Sequence, residues 1–139
     1  MDKWLIKSEP TVYSWEKLMM EKKTTWDGVR NFAARNFLRS MKKNDLLFFY
    51  HSNTGMEIMG IAKVIKPAYP DPSGMGKDWV VIDIAPIRKL RKTVPLSIIK
   101  NEKRLNKMAL VRLSRLSVQP VTDEEWEIVL TLAGENNAT

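Results

Sequence analysis

Asp45-Leu-Leu-Phe-Phe-Tyr-His-Ser52, the link Asn53-Thr-Gly55 and the run Ile58-Met-Gly-Ile-Ala-Lys-Val-Ile65 decide the architecture. The first run is continuously apolar and rich in aromatics, which marks a buried strand, and the second reads the same way. A connection of hairpin length between them leaves no room for a helical crossover, so the sheet is expected to be antiparallel or mixed. Upstream, Trp4-Leu-Ile6 reads as a short strand closed by Glu9-Pro10. Ser14 can cap a helix over 15–20, and Asn31 a second in which Ala33, Ala34, Phe37, Leu38 and Met41 recur at helical spacing. Around Trp26, residues Thr24, Thr25, Asp27 and Gly28 read as a turn.

Downstream, Tyr69-Pro-Asp-Pro-Ser-Gly-Met-Gly-Lys77 is the best loop candidate. Trp79 to Ala85 reads as a strand with Trp79, Val81, Asp83 and Ala85 on one face. A short helix near 96–100 and a strand near 113–119 follow. Thr122-Asp-Glu-Glu125 is a capping box, opening a helix whose stripe is Trp126, Val129, Leu130 and Ala133. The expectation is an α+β fold, one domain over residues 1–139, built on a curled mixed sheet or barrel.

The composition narrows the function. The chain has 139 residues, 44% hydrophobic and 28% charged, with no cysteine and one histidine, His51. Disulfides, thiolate metal sites and cysteine nucleophiles are excluded, as is a multi-histidine metal centre. No Walker loop, dinucleotide fingerprint, metal-spaced His/Asp set or nucleophile elbow is present, so no cofactor and no metal are expected. No apolar run approaches the roughly 20 residues of a membrane span, and none at the start reads as a signal peptide. The expectation is a soluble, cytoplasmic protein without a membrane partner.

Charge points to a polyanion. The net charge is +7, but residues 87–115 hold ten basic residues against the single acid Glu102, whereas the last 24 positions hold five acids and no base. Such a basic segment suits phosphates, whose neutralisation releases counterions; the plainer alternative is a solvated face. Within the segment, Met108-Ala-Leu-Val111 should bury and leave Lys103, Arg104, Lys107 and Arg112 around an apolar anchor. Arg35 and Arg39, one turn apart and opposite the apolar stripe of their helix, suit a phosphate backbone or merely a charged exterior.

Polar groups gather at the ends of the apolar strands: Lys7-Ser-Glu-Pro10, Trp26-Asp-Gly-Val-Arg-Asn31 and Phe49-Tyr-His-Ser-Asn53. Loops at strand ends commonly carry function because a rigid scaffold positions them. Asn31 is an adequate helix cap, and its primary amide could alternatively read a base edge. Trp15 and Trp126 belong to helix stripes and should be core; Trp4, Trp26 and Trp79 lie on or beside strands near the polar clusters. Two indole faces can sandwich a flat heterocycle, and base–aromatic stacking is worth about 1–3 kcal/mol per base.

Five segments together resemble the EVE domain family, most closely its thymocyte nuclear protein-like group. They are Trp4-Leu-Ile-Lys-Ser-Glu-Pro10, Trp26-Asp-Gly-Val-Arg-Asn-Phe-Ala-Ala-Arg-Asn36, Phe48-Phe-Tyr-His-Ser-Asn53, Tyr69-Pro-Asp-Pro72 and Arg115-Leu-Ser-Val-Gln-Pro120. The resemblance runs from about residue 2 to about residue 131. It implies a PUA-like fold, a mixed β pseudo-barrel with surrounding helices, and kinship with YTH and ASCH domains. It further implies a non-enzymatic reader of DNA or RNA that takes a modified base, chiefly a modified cytosine, flipped into an aromatic pocket. On matching positions, Lys7 and Ser8 would sit at the pocket rim, Trp26 would form the stacking wall and Asn31 would contact the base edge. Tyr50, His51, Ser52 and Asn53 would follow the central strand into the same cavity, with Trp79 and Asp83 in or near it. Arg30 and Arg35 would hold flanking phosphates. This chain shows no basic, disordered N-terminal extension like that of larger nuclear relatives, which favours a compact, prokaryotic version and places nuclear localisation in doubt.

Two rivals belong to other classes. ASCH-type amidohydrolases acting on modified cytidine combine Lys, Thr and Glu, a set that Lys7, Thr24 or Thr25, and Glu9 would imitate. An adaptor whose basic stretch binds acidic proteins is the third reading.

Overall fold

The computed structural model describes residues 1–72 and 79–135. The elements run β1 (Lys3–Ser8), α1 (Trp15–Glu21), β2 (Thr24–Trp26), α2 (Phe32–Ser40), β3 (Leu46–His51), β4 (Glu57–Pro70), β5 (Val80–Pro95), α3 (Leu96–Lys100), α4 (Ala109–Arg112), β6 (Val118–Val121) and α5 (Asp123–Leu132). The six strands form one sheet in the order β2-β5-β4-β3-β1-β6. Among the described residues only β1 and β3 pair in parallel, from Lys3 opposite Leu46 to Ser8 opposite His51. The other pairings are antiparallel, so the hairpin read from Asn53-Thr-Gly55 is present and the sheet is mixed.

Apolar residues lie on both faces of this sheet, which is why β1 and β3 read as unbroken runs. Trp4, Ile6, Leu47 and Phe49 enter one core, with Trp15 and Leu18 of α1 and Ala34 and Leu38 of α2. Leu5, Phe48 and Tyr50 enter the other, where α5 lays Trp126 flat on Phe48, the ring centroids 3.7 Å apart. The strand β4 takes part in both, and register shifts at four places along its pairing with β5 bend the ribbon and re-aim its side chains. One buried acid fixes the start of β3. Asp45 accepts from Trp4 Nε1 (3.0 Å) and from the backbone N–H groups of Asp2 (3.1 Å) and Lys42 (2.9 Å).

Several expectations about the elements need correction. Thr24–Trp26 is an edge strand, not a turn, because its backbone pairs with Ile82–Ile84 of β5. β5 begins after Trp79 and continues to Pro95, well beyond Ala85. The strand expected near 113–119 is shorter and later, Val118–Val121. Tyr69 and Pro70 of the expected loop end β4, whereas its residues 73–77 lie outside the described residues. In α2, Ala33 is exposed, so the buried stripe is narrower than its spacing suggests. The capping box of α5 forms as read, with Thr122 and Glu125 bonding reciprocally.

Candidate nucleic-acid interface

Beyond the C-terminal end of β1 the chain turns sharply. Val12 and Tyr13 both donate their N–H groups to the Glu9 carbonyl, and Ser8 Oγ donates to the Tyr13 carbonyl (2.6 Å). This turn faces the β2–α2 connection, where Gly28 adopts φ +77°, a left-handed conformation that costs a glycine little. The Lys7 N–H donates to the Ser117 carbonyl (3.0 Å), which brings the segment before β6 alongside. Between them lies a cavity of about 670 Å³, lined by Lys7, Ser8, Glu9, Val12, Tyr13, Glu21, Thr24–Arg30 and Ser117. Its size lies within the range of small-molecule sites.

Trp26 forms the aromatic wall. It is 9% exposed, and the edge contacts of Phe49 (5.5 Å between centroids, 77°) and Tyr13 (6.0 Å, 83°) hold its ring in place. Tyr13 donates its hydroxyl to Glu21 Oε1 (2.7 Å), and burial together with that carboxylate pushes the phenol up to about 12, so it remains a protonated donor. Lys7 donates to the Ser114 carbonyl (2.7 Å), and burial lowers its pKa. The lining includes two cations, Lys7 and Arg30, and three carboxylates, Glu9, Glu21 and Asp27. A neutral planar ring with donors and acceptors on its edge suits such a mixed lining better than a phosphate does.

Of the residues expected at the site, Lys7, Ser8, Trp26 and Arg30 come together around this cavity. Arg30 is already engaged: it pairs with the buried Asp71 (3.0 Å) and lies 5.5 Å from the centre of the Trp79 ring. Asn31 lines a neighbouring hollow with Ala33 and residues 113–116, and its Oδ1 caps α2 by accepting from Ala34 N (3.0 Å). The other strand-end residues are placed elsewhere. Tyr50 packs its ring into the α5-side core, because alternation along β3 turns it that way with Phe48. His51 is buried and accepts from Trp15 N–H at Nε2 (3.0 Å), and burial lowers its pKa. Ser52 donates its N–H to the Ser8 carbonyl, and Asn53 sits in the turn at φ +66°.

Nor do two tryptophans face each other across the cavity. Trp79 precedes β5 and stacks on Phe32 (5.2 Å, 21°), while Trp4, Trp15 and Trp126 are buried in the cores. Among the described residues, Trp26 is the sole tryptophan on the cavity wall. Asp83 points to the far side of β2, where its Oδ1 accepts from Thr25 Oγ1 (2.9 Å) and the Tyr69 hydroxyl (2.6 Å). On α2, Arg35 bonds Asn36 Oδ1 and Arg39 is exposed; Arg112 donates to the Lys107 carbonyl (2.7 Å). Glu9, Thr24 and Thr25 do line the cavity with Lys7. Yet the Lys7 ammonium bonds a backbone carbonyl and the Thr25 hydroxyl bonds Asp83, so these contacts do not pair Lys7 with Thr25 as a nucleophile.

Sequence reasoning missed Val12, Tyr13, Glu21 and Ser117 as lining residues. Tyr13 had a usable signal, an aromatic beside the Lys7–Pro10 cluster, but its approach to Trp26 depends on the fold. Among the described residues, no group of three or more acidic or histidine side chains could hold a metal, and no helix is long and apolar enough to cross a membrane.

Comparison with known proteins agrees with this architecture. The EVE domain model matches residues 2–132. Mouse thymocyte nuclear protein 1 is 39% identical over an alignment covering 93% of this chain and 72% of that protein. A solved Agrobacterium tumefaciens protein is 42% identical with a TM-score of 0.94, covering 99% of this chain and 96% of its own. The human THYN1 protein, solved in complex with DNA containing 5-methylcytosine, is 35% identical with a TM-score of 0.90, covering 98% of this chain and 99% of that one. A YTH domain of Zygosaccharomyces rouxii shares the PUA-like fold at 19% identity, with a TM-score of 0.61 over 95% of this chain and 86% of its own. With its family model matched almost end to end and its sheet shared with these relatives, the chain belongs to the EVE domain family.

Proposed function

We propose that this protein is a non-enzymatic reader of nucleic acid that takes one modified base, a modified cytosine in DNA, flipped out of its strand into the cavity beside Trp26. The observation that carries the reading is the cavity itself: an indole wall held rigid by Phe49 and Tyr13, ringed by Lys7, Ser8, Thr24 and Asp27. The human relative solved with 5-methylcytosine DNA supports the choice of base.

The chemistry divides between wall and rim. Stacking on Trp26 supplies affinity that every base would enjoy, so selectivity must come from edges. Cytosine presents an amino donor with ring and carbonyl acceptors. A carboxylate such as Asp27 can accept from the amine, while Lys7, which has hydrogens beyond the one given to Ser114, can donate to the acceptors. Ser8 Oγ already donates to Tyr13 and therefore serves as an acceptor. Asn31 lines the neighbouring hollow and not this cavity, so it is not assigned a base contact in this reading. Phosphates would lie outside the cavity, toward Arg35 and Arg39 on α2 and Arg112 on α4.

The test is a set of fluorescence-anisotropy titrations with one duplex carrying cytosine, 5-methylcytosine or 5-hydroxymethylcytosine at a single position, at two salt concentrations. The reading expects tighter binding of a modified duplex and weaker binding of all three at higher salt, as counterion release requires. Equal affinity for all three would overturn it.

A further inference from the structure

A base drawn into the cavity leaves a hole in the duplex behind it, and unstacking that step has to be offset. The molecule carries an aromatic side chain that neither core explains, close to where the hole would open. Phe32, the first residue of α2, is 60% exposed and lies two residues after Arg30 of the cavity lining. Its ring is nevertheless held in one pose. Trp79 stacks against it, and the Arg35 guanidinium lies 4.8 Å from its centroid. Arg30 and Arg35 also reach the Trp79 ring, at 5.5 and 6.0 Å, so two aromatic rings and two guanidinium groups form one cluster at the cavity's edge.

We propose that Phe32 is a wedge that enters the base stack at the vacated position while the flipped base occupies the cavity. Apolar side chains inserted between base steps are an established means of holding a distorted duplex. Charge favours this residue over Val12, the exposed apolar group on the cavity lining itself, and a flat ring favours it over Leu113 of the neighbouring hollow. Val12 is 71% exposed on the cavity lining, but it neighbours Glu9, whose carboxylate repels phosphates, and it has no flat face to stack. Phe32 instead carries the Arg35 guanidinium beside its ring, a cation that a phosphate next to the insertion point attracts. The inference rests on the reading of the cavity as a base pocket.

The test compares wild type with Phe32→Ala on the same 5-methylcytosine oligonucleotide in duplex and single-stranded form. A single strand has no hole to fill, so only the duplex should suffer: a loss of about 5- to 150-fold from the missing stack, against less than about twofold on the single strand. Phe32→Leu should recover part of the duplex affinity. The melting temperature should fall only slightly, because the ring packs in neither core and its loss removes only the stack on Trp79 and the Arg35 contact, and both DNA forms are titrated well below it. Equal effects on the two forms, or none on either, would overturn the wedge while leaving the pocket standing. If wild type itself shows no preference for the modified base, the pocket reading fails instead.

Discussion

Replacing Trp26 by alanine separates what the indole does for the fold from what it does for a ligand. With 9% exposure and edge contacts to both Phe49 and Tyr13, the ring is chiefly a core group. Truncating a buried tryptophan costs about 3–5 kcal/mol, and the lower end applies because one side of the ring already opens on a cavity. A domain of this size has only about 5–15 kcal/mol of stability, so Trp26→Ala should fold with a depressed melting temperature. Binding of a 5-methylcytosine duplex by the folded fraction should fall by the stacking contribution, about 1–3 kcal/mol, or roughly 5- to 150-fold. Trp26→Phe should keep most of the stability and lose less affinity, since a smaller flat face remains. Urea unfolding gives the first quantity and anisotropy titration below the transition gives the second. If Trp26→Ala remains folded and its affinity is unchanged, the indole is not a stacking wall and the reasoning fails.

Three further outcomes follow from the surrounding structure. Gly60→Ala would set a methyl group 2.6–2.7 Å from Cη2 and Cε2 of the fully buried Trp15, and should lower stability by about 1–3 kcal/mol in denaturant titration. Asp45→Ala strands three donors at once, including the Trp4 indole N–H, and should cost about 3 kcal/mol; Asp45→Asn should cost less, because an amide oxygen still accepts. His51 has its pKa lowered, by burial foremost and against the opposing pull of Glu16 and Glu57, and its Nε2 must be unprotonated to accept from Trp15. The unfolded chain therefore binds the proton more readily. The His51 contribution to stability is complete above the ordinary value of 6.5 and is lost as pH falls through the depressed folded value. Stability of wild type relative to His51→Gln, followed by urea unfolding from pH 8 to 5, should decline across that window; a constant difference would refute it.

Much of the sheet was legible in the sequence because burial on both faces leaves unbroken apolar runs, as in Leu46–Tyr50, and because caps such as Thr122 with Glu125 are local. Elements that depend on a distant partner were not. Thr24-Thr25-Trp26 has too few residues to show a period, and it is a strand only because residues 82–84 of β5 lie beside it. The cavity illustrates the same limit. Lys7, Ser8 and Trp26 were readable as polar or aromatic groups near strand ends, but Tyr13 and Ser117 join them through a turn and a pairing that no local pattern announces. Conversely, proximity in sequence overstated the role of the β3 end: the alternation that makes the strand legible also sends Tyr50 to the opposite core. The sequence allows Asn31 to be a cap or a base contact; its Oδ1 makes the capping bond, and the residue lines the neighbouring hollow.

Whether a base occupies the cavity can be followed directly through the five indole N–H resonances in a ¹H–¹⁵N spectrum: Trp26 on the cavity wall, Trp4 and Trp15 in the same core, Trp79 against Phe32 and Trp126 in the opposite core. On titration with a 5-methylcytosine duplex, the account predicts that the Trp26 indole and the amides of Ser8, Thr24 and Asp27 shift, and that the Trp126 indole, stacked on Phe48 in the far core, stays fixed. Shifts centred on the α5 side, with Trp26 unmoved, would contradict it.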